Sequence, residues 1–384
     1  MSKTKSIKVL HVVGGMNRAG TETMLMNIYR NIDRNNIQFD FISYGQNEAH
    51  YDQEIQRLGG RIIRLTKTYS VKEVYNAIKV YGPYDVVHSH TLFNCGIANF
   101  AALLAGVKIR IAHAHTTLDT NQSFLRSIYK GIMRKLIKLT STKLLACSSG
   151  AGQYLFGDKE LTKKRYSYFP NLIDYTKFIE QPNKEVKTFK KEEDLGNEII
   201  IGHIGRFKEA KNHLFLIKMM EHILKKDNNF RLLLVGDGEL RASIEEEAIE
   251  CGIDKNIKFV GVREDIPMLL HSMDLFVFPS KYEGLGLVLL EAQACGIPCI
   301  VSEAIQPEAD LNIGLVTKLM LNEGPEVWAN NILATFYKKE LNKNHIISGF
   351  ENEGYSFSKG ISNLMCYYQF SIGEQNEEYI SSIL

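Results

Sequence analysis

Residues 280–302 read SKYEGLGLVLLEAQACGIPCIVS and follow the apolar run Asp274–Pro279, DLFVFP. That run is short, β-rich and closed by a proline, as a buried strand is. Gly284-Leu285-Gly286 then forms a glycine loop, and Leu287–Cys295 reads as a helix. Gly296 stands where a C′ glycine belongs, Pro298 prevents continuation, and Pro298–Ser302 supplies the next strand. The whole is one βαβ unit. Its first-turn amides have no intrahelical acceptor, and the glycines let backbone approach a ligand, so the loop suits a phosphate. Glu283 precedes the loop, and Glu291 follows on the helix. Helical side chains lean toward the N-terminus, so Glu291 can point back to the mouth that Glu283 lines. Either carboxylate alone reads as an ordinary solvated group. Residues elsewhere in the chain change that.

The chain has 384 residues, 45% hydrophobic and 23% charged, with a net charge of +2. This is a globular composition long enough for two domains, and it carries no global attraction to nucleic acid. The opening MSKTKSIKVLHVV has a short apolar run interrupted by His11 and no small-residue cleavage site, so it reads as a strand and not as a signal peptide. Thr91–Val107 is the longest uncharged stretch, and it is too short and too polar for a membrane span. Six cysteines scattered in apolar runs without a CxxC pair fit buried hydrophobes of a reducing cytosol, so a cytoplasmic location is expected.

Outward toward the N-terminus, Ile7–Val13 is a strand followed by GGMNRAG at 14–20. Thr21 is the expected N-cap of a helix with the apolar stripe Met24, Leu25, Ile28, Tyr29 and Ile32. The spacing is not GxGxxG, and Asp40 falls inside the next strand, which argues against a dinucleotide. Strands are expected at 39–43, 61–65, 85–89, 109–113 and 143–147, alternating with helices, hence a mostly parallel sheet. Histidines gather where these strands end: His88 and His90 in DVVHSH, His113 and His115 in IAHAHTT. Their alternation puts both imidazoles of each pair on one side. Such a set admits zinc and equally admits neutral core imidazoles. His115 stands furthest into its loop.

Residues 125–143 place apolar side chains at 125, 128, 129, 132, 133, 136 and 137, with Arg126, Lys130, Arg134, Lys135, Lys138 and Lys143 over the rest. No acidic residue lies between Asp119 and Asp158. That basic helix is either a solvated face packing its stripe on the sheet or a means of peripheral contact with an anionic membrane. Phe169–Asp174 reads as a turn closing the first domain, and 181–196, dense in charge, as a linker. Strands at 199–204, 231–235 and 257–260 begin a second α/β series. Arg206 and Lys211 follow its first strand, at the same sheet end as Glu283 and the free amides. Arg can fork a diphosphate and Lys adds a point charge. No two aspartates lie two positions apart, so there is no DxD pair to hold a divalent cation, and no metal or other cofactor is expected.

Seven motifs in this order resemble the family 4 glycosyltransferases of the GT-B fold: GGMNRAGTE at 14–22, His115 after a strand, ACSS at 146–149, PNLID at 170–174, GRFKEAKN at 205–212, GDG at 236–238, and the Glu283/Glu291 pair. The resemblance spans nearly the whole chain, which is also similar to bacterial exopolysaccharide and capsule transferases. It implies an α/β architecture of two Rossmann-like domains with a ligand cleft between them. Residues 1–180 would form the N-terminal acceptor-side domain, 181–196 the linker and 197–354 the nucleotide-sugar domain, with 355–384 crossing back as a final helix. It also implies retaining, metal-independent transfer from a nucleoside diphosphate sugar, UDP being the expected base, to a glycan or lipid-linked acceptor at the inner membrane face. By this pattern Arg206 and Lys211 contact the diphosphate, Glu291 the ribose and Glu283 the donor sugar, with backbone of Gly284, Leu285, Gly286 and Leu287 completing the donor site. His115 matches the histidine near the reacting sugar, and Gly14, Gly15, Thr21 and Glu22 the wall of the first domain. One departure is Leu172-Ile173 where many members have Gly-Val. A nucleotide-sugar epimerase of the same fold is the alternative.

Overall fold

The computed structural model describes residues 6–117, 124–335 and 342–369. Asp174–Glu353 form one compact unit, and the chain before Asp174 together with the return from Gly354 forms the other.

In the first unit the strands are β1 Ile7–Val13, β2 Ile37–Ser43, β3 Ile62–Arg64, β4 Val86–Ser89, β5 Ile109–Ala114, β6 Lys143–Ala146 and β7 Tyr166–Tyr168. They form one sheet in the order β3-β2-β1-β4-β5-β6-β7, and every pairing is parallel. The expected strands are all present. β7 was not foreseen, because three half-exposed residues carry too little hydrophobic pattern to register. The strands read as continuous apolar runs because helices cover both faces of a parallel sheet. Val9, Phe39, Phe41, Val86 and Ile111 form the core on one face, joined by Leu364, Met365 and Tyr368 from the last helix, Phe357–Gln369. The tail beyond Gln369 lies outside the described residues. Leu172, the departure in the PNLID motif, packs on Gly360 of that helix, where a built β-carbon would come within 2.4 Å of the leucine side chain.

The second unit contains β8 Ile199–Ile204, β9 Phe230–Val235, β10 Ile257–Phe259, β11 Leu275–Phe278, β12 Cys299–Ser302 and β13 Val316–Leu319. These form a second all-parallel sheet in the order β10-β9-β8-β11-β12-β13. In each sheet the order reverses once, between β1 and β4 and between β8 and β11. Ligands of open α/β sheets bind outside the carboxyl ends at such a reversal.

Three expectations need correction. The helix after the first loop runs Gly20–Asn31 with Ala19 in the cap position, so Thr21 lies in the first turn and does not cap it. The polar stretch 181–196 is not a free linker: Asn183–Glu192 is a helix burying Val186 and Phe189, three apart on one face, within the second unit. The contact boundary therefore falls after Ile173 and not near 180. The basic helix, Phe124–Thr140, buries Met133, Ile137 and Thr140 but exposes Phe124, Leu125, Ile128, Ile132 and Leu139. Its apolar residues thus divide between two faces where one stripe was expected.

Candidate active site

At the reversal of the second sheet, the loop leaving β8 and the loop leaving β11 are laced together. The Lys281 amide donates to the Ala210 carbonyl at 2.8 Å, and Asn212 Nδ2 donates to the Pro279 carbonyl at 3.1 Å. Asn212 has φ 58°, a left-handed conformation that asparagine tolerates. Lys281 and Glu209 add an outer ion pair at 3.0 Å. Behind this loop, glycine is a steric necessity: a β-carbon on Gly236 would lie 2.1 Å from the Gly205 carbonyl oxygen. The GDG motif is therefore explained by close backbone approach.

The lacing brings Lys211 against Glu283. Their side chains form an ion pair and are 20% and 14% exposed. Ser280 Oγ donates to the same Glu283 oxygen at 3.2 Å, and the Lys211 ammonium lies 4.5 Å from the Phe278 ring centroid. Ser280 is itself held, its carbonyl accepting from Ser302 Oγ at 2.6 Å. Arg206 is exposed and has no ion-pair partner among the described residues. Gly286, at φ 90°, precedes the helix Leu287–Ala294, whose C′ Gly296 is at φ 73°. Leu285 is buried, so its side chain is not offered to a ligand. Gly284 and Leu287 are half-buried beside it. The Glu291 carboxyl makes no hydrogen bond among the described residues, and burial raises it to about 7.

In the first unit, Gly14 and Gly15 leave β1. A β-carbon on Gly14 would meet nothing within 4 Å, and one on Gly15 would make only ordinary contacts. The fold itself therefore does not demand these glycines, whereas a closely approaching ligand would. Thr21 and Glu22 follow in the first turn of the next helix, both half-buried. Asp40 is structural, accepting from the Arg61 amide at 2.9 Å and from the Tyr84 hydroxyl at 2.8 Å.

The histidines form a ladder at the reversal between β1 and β4. His11 pairs in register with His88, His113 lies near the end of β5, and His90 and His115 continue the ladder past the strand ends. One chain runs His11 Nδ1 to His90 Nε2 at 3.1 Å, His90 Nδ1 to His115 Nε2 at 2.8 Å, and His115 Nδ1 to Asn171 Oδ1 at 3.3 Å. A second runs from the Tyr368 hydroxyl to His88 Nδ1 at 2.9 Å and from His88 Nε2 to His113 Nδ1 at 3.2 Å. Burial keeps all five rings neutral, pushing His11 and His115 down to about 3 and the others well below the usual range. Nitrogens of His90, His113 and His115 lie within 4.8 Å of one another, as do those of His11, His88 and His90, so the donor type suits a borderline metal. Most of those nitrogens, however, already bond to one another. His88 and His90 were visible as a pair in sequence. The contributions of His11, Asn171 and Tyr368 were not, since they depend on strand order and on a distant helix.

The profile "Glycosyltransferase Family 4" matches residues 18–177, and "Glycosyl transferases group 1" matches 184–351. EpsF of Bacillus subtilis (strain 168), named as a glycosyltransferase, is 39% identical over 95% of this chain and 97% of its own length. The capsular polysaccharide biosynthesis glycosyltransferase CapH of Staphylococcus aureus is 30% identical over 87% of this chain and 92% of its own. The UDP-Gal:alpha-D-GlcNAc-diphosphoundecaprenol alpha-1,3-galactosyltransferase of Escherichia coli is 30% identical over 60% of this chain and 62% of its own. Among solved structures, Anabaena Alr3699/HepE in complex with UDP-glucose superposes with a TM-score of 0.77 at 17% identity, covering 94% of this chain and 99% of that one. Two parallel-sheet domains, matched profiles over both and whole-length relatives agree: the chain belongs to the family 4 glycosyltransferases of the GT-B fold.

Proposed function

We propose that this glycosyltransferase carries out a retaining transfer from a UDP-sugar to a lipid-linked glycan acceptor in polysaccharide synthesis, at the cytoplasmic membrane face and without a divalent metal. The observation that carries this reading is the Lys211–Glu283 pair in the laced loops after β8 and β11. Lys211 exchanges Glu283 for the donor diphosphate, Arg206 adds a second cation from the rim, and the amides of 284–287 meet the phosphate at the helix N-terminus. Glu283, released, accepts from hydroxyls of the donor sugar, and Glu291 accepts from the ribose. A double displacement needs two carboxyls about 5–5.5 Å apart across the scissile bond. With Glu291 committed to the nucleotide, Glu283 stands alone, which favours front-face transfer. The acceptor oxygen bonds to the anomeric carbon, the bond to the diphosphate breaks with its electron pair leaving on phosphate, and that phosphate takes the acceptor proton. The substrates in the name of the Escherichia coli relative support both the UDP donor and the lipid-linked acceptor.

The basic helix supports the location. Phe124, Leu125 and Leu139 are 79%, 77% and 80% exposed, and Ile128 and Ile132 share their face with Lys135. Five apolar side chains beside a cation suit the headgroup boundary of an anionic bilayer. No helix among the described residues is long and apolar enough to cross a membrane. An epimerase of the same fold draws no support from the relatives named above, all glycosyltransferases.

The test is a thermal-shift panel of UDP-, GDP-, ADP- and dTDP-sugars. A ligand at a hundred times its Kd stabilises by about 2.7 kcal/mol. A UDP-sugar is expected to raise Tm most, and a panel in which no nucleotide sugar shifts Tm would overturn the reading.

A further inference from the structure

Both ring nitrogens of His115 are engaged by the protein, Nε2 by His90 at 2.8 Å and Nδ1 by Asn171 at 3.3 Å. Each neutral imidazole carries one proton and one lone pair, so a chain of them has a direction. With the Asn171 carbonyl oxygen as terminal acceptor, His115 must hold its proton on Nδ1 and accept at Nε2. His90 then donates through Nδ1 and accepts at Nε2 from the Nδ1–H of His11. The chain ends on His11 Nε2, buried and without a partner. The reverse direction would strand a buried N–H on His11, the rarer kind of orphan in folded proteins. His11, His90 and His115 therefore adopt the Nδ1–H form.

We infer that His90, backed by His11, is a positioning residue for His115: the directed imidazole chain leaves His115 a neutral ring that can offer a substrate oxygen only an Nδ1–H donor. The inference rests on the reading of His115 as a residue of the reacting site. It deepens that reading by excluding His115 as general base, since its lone pair is occupied. The longest link in the first chain is the one to Asn171, at 3.3 Å. That link is the one a substrate hydroxyl would replace, while the shorter bond from His90 holds the ring plane. His90 is fixed in turn by its backbone, whose amide donates to the Val12 carbonyl at 2.9 Å.

The full chain with 15N-labelled histidine, read by long-range proton–nitrogen NMR, reports the tautomer, and the spectrum of His115→Gln assigns the signal. The expected result is a neutral Nδ1–H ring at His115, the form free histidine populates less. His90→Leu removes the donor. It is expected to shift His115 toward the Nε2–H form and to lower kcat about tenfold with donor KM little changed. His90→Asn places an amide N–H where Nδ1 stands and is expected to restore both tautomer and most of the rate. An Nε2–H signal for His115 in the wild type overturns the inference, as does a His90→Leu protein with unchanged tautomer and kcat. Stoichiometric zinc bound by the purified wild type overturns it too. The wild-type spectrum decides the tautomer even if His90→Leu does not fold. Unchanged turnover by His115→Ala would instead sink the underlying reading of His115, and the spectra distinguish the two failures.

Discussion

Lys211 and Glu283, seventy-two positions apart, neutralise each other at the mouth of the second sheet. Each is the expected partner of a different part of one ligand, the cation for the diphosphate and the carboxylate for the sugar. The site thus holds its charges against each other, and under the proposed reading a donor exchanges both contacts together. Lys211→Ala is expected to cost about 2–4 kcal/mol of transition-state stabilisation and also to lower Tm, because it takes the cation away from a largely buried carboxylate. Arg206→Ala, at an exposed position, is expected to cost similar activity at unchanged Tm. Steady-state kinetics with thermal melts separates the two. Wild-type turnover by either variant means the clamp is misassigned.

Glu291 provides an opposing pair of effects. Its carboxyl sits at about 7 against an ordinary 4.5, raised by burial. Between those values the folded state binds more protons than the unfolded one, so this group's contribution to stability falls as pH rises. Glu291→Gln is expected to stabilise the unliganded protein by about 2 kcal/mol at pH 8, allowing for partial exposure, and to weaken donor binding. Denaturant titration and calorimetry at pH 8 check the two signs. A variant that loses stability would contradict the burial argument.

The histidines give the opposite slope. His11, His88, His113 and His203 are fully buried and held neutral by desolvation, far below their unfolded value of 6.5. As pH drops through 6.5 the unfolded chain takes up protons that the native rings refuse, so stability falls with pH by up to about 1.4 kcal/mol per unit for each. Melts between pH 7.5 and 5.5 are expected to lose more than ten degrees. A flat profile across that window would show that these rings are not dry.

Excess EDTA is expected to leave turnover unchanged, since Arg206, Lys211 and the helix amides supply the positive charge a metal would bring. Activity abolished by the chelator and recovered only with Mg²⁺ or Mn²⁺ would refute metal independence.

Membrane contact through Phe124–Thr140 is testable on its exposed face. Arg134 is a poor target, because it donates to the Tyr154 carbonyl and lies over Phe93. Lys138 is 3.8 Å from Glu160, so it too is partly compensated. Leu125→Ser/Ile128→Ser/Lys135→Glu changes exposed groups of this face alone. Each Lys or Arg near an anionic surface contributes about 1 kcal/mol, and the apolar side chains add to that. Flotation with anionic liposomes is expected to drop at least tenfold, and wild-type flotation to weaken with salt. Equal flotation of both proteins would make this face merely solvated.

Much of this was legible in the sequence because it is local. The strand–loop–helix units carry their own punctuation, and the 274–302 unit appears within a residue or two of where proline and glycine place it. Asn183–Glu192 was hidden because two apolar residues among charges look like a linker until a partner surface exists for them. The two-faced helix misled for the opposite reason, since periodicity reports apolar residues without saying which will be covered. The Lys211–Glu283 pair and the ladder could not be read at all as contacts. They are made by strand order, β8 beside β11 and β1 beside β4, and parallel neighbours need not be adjacent in sequence.

Tyr368 has a bearing on biosynthesis. Its hydroxyl reaches His88 and its ring fills the core beside Phe39, yet the ribosome makes it after the entire second unit. At ordinary elongation rates that is a wait of roughly ten to forty seconds. During that interval the N-terminal sheet has an apolar seat and an imidazole without their final occupant. A chain truncated before Phe357 would keep all seven strands and still be unfinished, so a C-terminal deletion in this protein wounds the domain farthest from it in the gene.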